Sequence, residues 1–294
     1  MFYRRKIVLA LIQVFGNELE KISLQKLLFL FMKQKQDPEY DFVPYKYGCF
    51  SFSANADLNA LNKKNILEDL NSSYRLTDST NYLETLKPLD KKRMLELKEI
   101  YGKMDKTSLM KHTYINYPFW ATKSIVAKNL LNEKLYQRIF RAIPRNEKTV
   151  LYTIGYEGIS LEEYLMRLIK NDVKVLVDVR RNPLSMKYGF SKTSLSKFCN
   201  ILDIEYIHFP QVGIESEHRQ ELNSQKDYDI LFEKYKQNNL TKTIDIQNKI
   251  LNLLIEKQRI ALTCFEADVC QCHRTHLAEA ISLNPNFSYE VKHI

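Results

Sequence analysis

VLYTIGYEGISLEEYLMRLIKNDVKVLVDVRRNP, residues 150–183, decides the fold. Val150-Leu-Tyr-Thr-Ile154 is a short apolar run closed by Gly155, Leu161–Ile169 repeats its apolar residues at helical spacing, and Val173–Val179 is a second apolar run. Strand, helix and strand in this order make a βαβ unit, whose two strands lie parallel. The alternation continues with a helix at Leu195–Leu202, a strand at Ile204–Phe209, helices near Tyr228–Lys236 and Ile244–Lys257, a strand at Ile260–Cys264, a helix from about His273 to Ile281 and a strand at Phe287–Val291. Residues 149–294 are therefore read as an α/β domain, Rossmann-like, with a mainly parallel sheet.

Upstream the pattern is helical. Apolar residues recur at helical spacing from Ile7 to Phe31, broken at Gly16-Asn17, with Ser23 placed as N-cap of a Leu24–Met32 helix. Phe42-Val-Pro-Tyr-Lys-Tyr-Gly-Cys-Phe-Ser51 is an aromatic-dense loop, about Asp57 to Glu68 reads as a helix, and Tyr74-Arg-Leu-Thr77 as a strand of a small wing. This is the element order of winged-helix DNA binders. Residues 1–82 are read as a winged-helix-like basic module, and residues 83–148 as a helical extension ending in a linker, Pro144-Arg-Asn-Glu-Lys148.

The composition, 45% hydrophobic and 27% charged in 294 residues with 7 Gly and 8 Pro, is that of a globular chain long enough for two domains. It excludes collagen-like and low-complexity classes. Residues 1–149 hold 26 Lys+Arg against 16 Asp+Glu, a balance of +10, whereas residues 150–294 hold 18 against 19, a balance of −1. A basic excess confined to one half suits DNA or another polyanion, because clustered Lys and Arg release counterions from a phosphate backbone. Lys46, Lys63, Lys64 and Arg75 are the first candidates for phosphate contact, with the Lys91-Lys-Arg93 run; the plain alternative is a solvated basic face. Trp120 is read as packing, not as a platform for bases.

Five cysteines, an odd number in a long chain, suit reduced thiols in a cytoplasm better than a disulfide framework. Arg4-Arg5-Lys6 followed by Ile7–Ile12 begins like a signal peptide but breaks at Gln13 without a cleavage site, and runs such as Leu27–Met32 are far too short to span a membrane. A soluble, untargeted protein with no membrane partner is expected.

In parallel sheets ligands bind beyond the carboxyl ends of the strands. Three such ends carry chemistry. Gly155-Tyr-Glu-Gly158 offers two glycines that let backbone approach a ligand, so Gly155, Tyr156, Glu157 and Gly158 are candidate ligand contacts together with Ser185. Asp178-Val-Arg180, followed by Arg181 and Pro183, puts a carboxylate and a guanidinium at the crevice, or else pairs them structurally. His208 also ends a strand. The densest stretch is Thr263-Cys-Phe-Glu-Ala-Asp-Val-Cys-Gln-Cys-His-Arg-Thr-His276, where Cys272 lies at a helix N-terminus that favours thiolate and Arg274 suits an anion. Two chemistries compete there. Cys264 or Cys272 is a nucleophile with Glu266 or His273 as proton carrier, or Cys264, Cys270, Cys272, His273 and His276 hold zinc, although their spacing matches no common structural zinc site.

These residues resemble the family called domain of unknown function 488. The resemblance is carried by Thr153-Ile-Gly-Tyr-Glu-Gly158 with Ser160-Leu-Glu-Glu-Tyr164, by Val177-Asp-Val-Arg180 with Pro183 and Ser185, by Ile204-Glu-Tyr-Ile-His208 leading to Val212-Gly213, and by Leu262-Thr-Cys-Phe-Glu266 with Cys272-His-Arg274. It implies an α/β fold and a site of Asp178, Arg180, Cys264, Glu266, Cys272, His273 and Arg274, and no particular reaction. Cys270 and His276 are extra to that pattern. The first half, at Ser23-Leu-Gln-Lys-Leu27 and Phe42-Val-Pro-Tyr-Lys-Tyr-Gly48 with Phe50-Ser51, resembles the helical domain of the Panacea and SocA antitoxin type, which implies a toxin–antitoxin or phage-related setting and a toxin-like protein as a possible partner. A rhodanese-like reading is disfavoured because Phe265–Gln271 lacks the Gly- and Arg-bearing cradle of those enzymes. The expectation is a protein acting on or binding nucleic acid or a nucleotide-like anion, with Arg180 and Arg274 gripping phosphate. The rival is a non-catalytic regulator whose second domain senses a ligand or metal.

Overall fold

The computed structural model describes residues 1–215 and 224–294 and divides into two compact units, Met1–Ile143 and Pro144–Ile294. The second unit begins inside the segment read as a linker.

In the first unit, α1 (Tyr3–Val14) and α2 (Lys21–Met32) form the centre of an apolar core. Ile7 to Ile12 of α1 and Leu24 and Leu27 to Met32 of α2 are all buried. A helix buried all round needs apolar residues on every face, which is why these runs are continuous and not amphipathic. Between them lies β1 (Glu18–Glu20), which pairs antiparallel with β5 (Ser73–Leu76), itself paired with β4 (Leu67–Asp69). A two-stranded ribbon, β2 (Val43–Tyr45) and β3 (Gly48–Phe50), precedes α3 (Phe52–Asn62).

The sequence reading placed Ser23 as a helix N-cap, but α2 begins two residues earlier, at Lys21, and the Ser23 hydroxyl points back to Glu20. The start is set by β1, whose partner is more than fifty residues away and leaves no local signature. The third helix also starts earlier than its apolar spacing suggests, because the Ser51 hydroxyl accepts the Ala54 N–H and caps it there. It ends at Asn62, short of the Glu68 that the spacing suggests, because Asn65 turns the chain with a positive φ into β4.

The helices α4 (Pro88–Tyr101) and α5 (Lys106–Asn116) pack their Met94, Leu97 and Leu109 into the same core. Residues 83–143 thus form one body with the residues before them. Trp120 lies against Phe29, with ring centroids 5.2 Å apart, and the Lys33 ammonium lies 4.1 Å from its ring. The short helices α6 (Ala127–Leu130) and α7 (Glu133–Arg141) complete the unit.

The second unit is a five-stranded parallel sheet in the order β10-β6-β9-β7-β8, formed by β6 (Val150–Gly155), β7 (Val175–Asp178), β8 (Glu205–His208), β9 (Arg259–Cys264) and β10 (Glu290–His293). Every residue of β6, β7 and β9 is buried, as expected where helices cover both faces of a parallel sheet. The helices are α8 (Leu161–Lys170), α9 (Lys192–Ile201), α10 (Gln225–Asn238), α11 (Ile244–Lys257) and α12 (His273–Ser282). The Ser160 hydroxyl accepts the Glu163 N–H and starts α8. Because β9 lies between β6 and β7, Gly155, Cys264 and Asp178 end three adjacent strands on one edge of the sheet. Among the described residues, no helix is long and apolar enough to cross a membrane.

Candidate functional site

Cys264 ends β9, Glu266 follows in the loop, and Cys272 and His273 begin α12, so one strand-to-helix connection carries four reactive side chains. Cys264 Sγ donates to Glu266 Oε2 at 2.9 Å and Cys272 Sγ donates to the same oxygen at 3.1 Å. His273 Nε2–H donates to the carbonyl oxygen of Val179, 3.1 Å away, which leaves Nδ1 as the acceptor facing Cys264 Sγ at 3.5 Å. The two sulfurs, a carboxylate oxygen and a ring nitrogen all lie within 4.8 Å of one another. Cys264, Cys272 and His273 are closed to solvent and Glu266 is half-buried. Burial, with Cys264 and Glu266 beside it, pushes the Cys272 thiol well up, although the Arg274 guanidinium opposes this. Cys270 stands apart and exposed, and His276 pairs with Glu279 and lies against Phe232.

The loop bearing Glu266 is held by Gly155, Tyr156 and Glu157, which the sequence marks as candidate ligand contacts. A Cβ on Gly155 would lie 1.9 Å from the Glu266 carbonyl oxygen, so what approaches this glycine is the protein's own backbone. The Tyr156 and Glu157 N–H groups donate to the Phe265 carbonyl at 3.1 and 2.9 Å, and the Glu157 carboxylate accepts the Ala267 N–H at 3.0 Å. Gly158 has a φ of 76° and open space around its Cα. Arg274 is only 2% exposed and donates to the carbonyls of Glu266 and Ala267 and to the Thr153 hydroxyl. It ties the loop to β6 through Thr153.

Arg180 is also committed. Its Nε and Nη2 donate to the Asp178 carboxylate and its Nη1 donates to Tyr156 Oη at 2.8 Å and to the Phe190 carbonyl at 2.9 Å. Asp178 accepts in addition from the Arg180 N–H and from Tyr206 Oη, so the buried carboxylate is satisfied on every side. Burial works against the charge on Arg180, but the bonds to Asp178 outweigh it and hold the guanidinium charged. The Tyr156 ring stacks on Phe190 with centroids 4.3 Å apart and meets the edge of Phe265.

Beyond these strand ends opens a cavity of about 340 Å³ lined by Tyr156, Arg180, Arg181, Asn182, Leu184, Ser185, Ile214, Cys264 and Phe265. Its size is that of a small-molecule site. Cys264 is common to the cavity and the cluster. Arg181 is 40% exposed and its guanidinium lies 3.1 Å from Glu215. The Ser185 hydroxyl accepts the Lys187 N–H. His208 holds Arg180 from the next strand, its Nε2–H donating to the Arg180 carbonyl at 2.8 Å. Leu184, one of the lining residues, is 85% exposed.

The match to a known family falls on this framework. Residues 160–281 match the family of the domain of unknown function DUF488. The DUF488 match contains Asp178, Arg180, Ser185, Cys264, Glu266, Cys272, His273 and Arg274, and begins after the Gly155–Gly158 turn. Among curated proteins the chain has no match.

The sequence reading missed Tyr206, Asn182 and Phe265. Tyr206 was detectable, since it shares a strand face with His208 two residues on. The Val179 carbonyl that orients His273 has no signal in side-chain types. In the first unit, Lys46, Lys63 and Lys64 are exposed, while Arg75 is paired with Glu18 at 2.9 Å and Glu68 at 3.4 Å. Lys21, Lys35 and Lys91 are likewise paired with Asp69, Glu39 with Asp90, and Glu84.

Proposed function

We propose that the protein acts on or binds a nucleotide-like anion or nucleic acid, that the second unit takes this ligand in the strand-end cavity, and that the Cys264–Glu266–Cys272–His273 cluster adjoins that cavity at Cys264. The observation that carries this reading is that Cys264 belongs to both. Arg181, Asn182 and Ser185 supply a cation and hydrogen-bonding groups, and Tyr156 and Phe265 supply aromatic surface, a lining that suits a planar base bearing phosphate. Arg181 takes the phosphate-binding role expected of Arg180 and Arg274, because those two are buried in bonds to the protein whereas Arg181 is solvent-accessible and would exchange its exposed Glu215 pair for phosphate.

The first unit is a recruiting module of winged-helix-like type. Its order α1, β1, α2, α3, β4, β5, with β1 joining the β4–β5 ribbon, supports that reading. The helix α3 carries no Lys or Arg, so contacts to phosphate fall to Lys46, Lys63 and Lys64 outside it. A protein partner of toxin-like kind is the alternative that the Panacea-type resemblance implies. Five free cysteines suit a reducing cytoplasm.

Isothermal titration of the full chain with adenosine monophosphate, adenosine, inorganic phosphate and a short oligonucleotide tests this reading. Binding of a phosphorylated ligand, weakened about tenfold by Arg181→Ala as loss of a charge-assisted contact implies, supports it. Binding unchanged in an Arg181→Ala, Ser185→Ala double variant, or absent for every phosphorylated ligand, overturns it. The non-catalytic regulator is favoured by a different observation: both cluster thiols donate to one carboxylate and are closed to solvent, which is the opposite of an exposed nucleophile.

A further inference from the structure

We infer that Cys264, Glu266, Cys272 and His273 hold one thiophilic divalent cation, zinc. Two sulfurs, one nitrogen and one oxygen are a donor set that zinc prefers in a four-coordinate, tetrahedral arrangement. Zinc bond lengths of about 2.0–2.3 Å place such donors roughly 3.3–3.8 Å apart. Sγ of Cys264 lies 2.9 Å from the Glu266 oxygen and 3.5 Å from His273 Nδ1, Sγ of Cys272 lies 3.1 Å from that oxygen, and no pair exceeds 4.8 Å. The donors need small side-chain adjustments, not a rearranged backbone.

A second observation comes from the imidazole. A metal-bound histidine characteristically donates its other ring N–H to a carbonyl or carboxylate, which fixes the tautomer and aims the lone pair. His273 does this through Nε2–H to Val179, and its Nδ1 faces the Cys264 sulfur at 3.5 Å. The loop geometry supports the same assignment, since Arg274 and the Gly155 approach fix the backbone that carries Glu266. Arg274 is a positioning residue here.

The charges balance. Zinc displaces the thiol protons of Cys264 and Cys272, releasing two protons to solvent, and the neutral imidazole and the carboxylate lose none. Two thiolates, a carboxylate and Zn²⁺ sum to −1, and the buried Arg274 guanidinium bonded to the Glu266 carbonyl offsets that charge. Cys270 and His276 lie outside the donor set. That is why the sequence spacing of all five Cys and His residues matches no common zinc motif.

The inference stands apart from the nucleotide reading, because it is tested on ligand-free full-length protein. Elemental analysis after zinc loading and dialysis is expected to give one zinc per chain. Cys270→Ser keeps it, whereas Cys272→Ala and His273→Ala retain about a tenth or less, as loss of a ligand requires. Circular dichroism of each variant separates loss of metal from loss of fold. Where an alanine variant does not fold, cobalt substitution of the wild type decides, with thiolate-to-cobalt charge-transfer absorption expected. Wild-type protein that retains no zinc, cobalt that binds without thiolate absorption, or zinc released by Cys270→Ser and kept by folded Cys272→Ala overturns the assignment.

Discussion

Gly155→Ala is the most demanding test of how the site is assembled. Its added methyl would lie 1.9 Å from the Glu266 carbonyl oxygen, 2.7 Å from the carbonyl carbon and 3.2 Å from Ala267 Cα. All three are backbone atoms, so no side chain can swing away. Ordinary contact starts near 3.4 Å, so the carbonyl must retreat by about 1.5 Å. That movement pulls the Glu266 oxygen from Arg274 and strains the Tyr156 and Glu157 bonds to Phe265. Overpacking of about 1–3 kcal/mol, together with one weakened hydrogen bond of about 0.5–1.5 kcal/mol, gives a loss of about 1.5–4.5 kcal/mol. For a unit of this size that lowers the melting temperature by roughly 5–15 °C. Calorimetry of the full chain reads the transition of the second unit. Gly158→Ala is the control, because its methyl meets nothing within 4 Å and only the positive φ opposes it, a cost of about 1–2 kcal/mol. A Gly155→Ala protein that melts no lower than Gly158→Ala refutes the reasoning.

Other consequences are as direct. Asp178→Ala leaves the buried Arg180 guanidinium without its carboxylate, and urea titration is expected to register a loss of about 3–5 kcal/mol, as for other broken buried pairs; a loss below about 1 kcal/mol contradicts the pairing. In the first unit, burial works against the Asp57 charge, but hydrogen bonds from Arg4, Arg5 and Tyr40 outweigh it and hold its carboxyl below the usual range. A depressed folded pKa contributes stability above the unfolded carboxyl value that disappears as pH falls through the folded value. Asp57→Asn should therefore flatten the acid limb of a stability–pH curve, and an unaltered limb counts against this network. Arg75→Ala is expected to leave oligonucleotide affinity unchanged, whereas Lys63→Ala with Lys64→Ala lowers it and its salt dependence; equal effects would show that the Glu18 and Glu68 pairs do not occupy Arg75.

The sheet was legible because each buried strand is a continuous apolar run bounded by a helix of clear periodicity. In the first unit the strand at Tyr74–Leu76 was legible, whereas β1 was not. Glu18–Glu20, with Leu19 as its one apolar residue, is too short to read as a strand by itself and pairs with Ser73–Arg75. The cluster was legible as residue types, since Cys264, Glu266, Cys272 and His273 fall within ten positions. What each neighbour does was not. Gly155 reads as a site where a ligand comes close, but in the fold the approaching atom is the Glu266 carbonyl. Arg274 reads as an anion grip because its partners are main-chain oxygens, which the sequence does not display.

The central claim is that the four strand-end side chains form one closed unit, and iodoacetamide labelling of native full-length protein, mapped to each cysteine over time, tests it most directly. Cys270, which is exposed, should label at the rate of a free thiol, while Cys264 and Cys272 label far more slowly and become accessible in Gly155→Ala. Labelling of Cys264 and Cys272 in the wild type as fast as Cys270 would contradict the account.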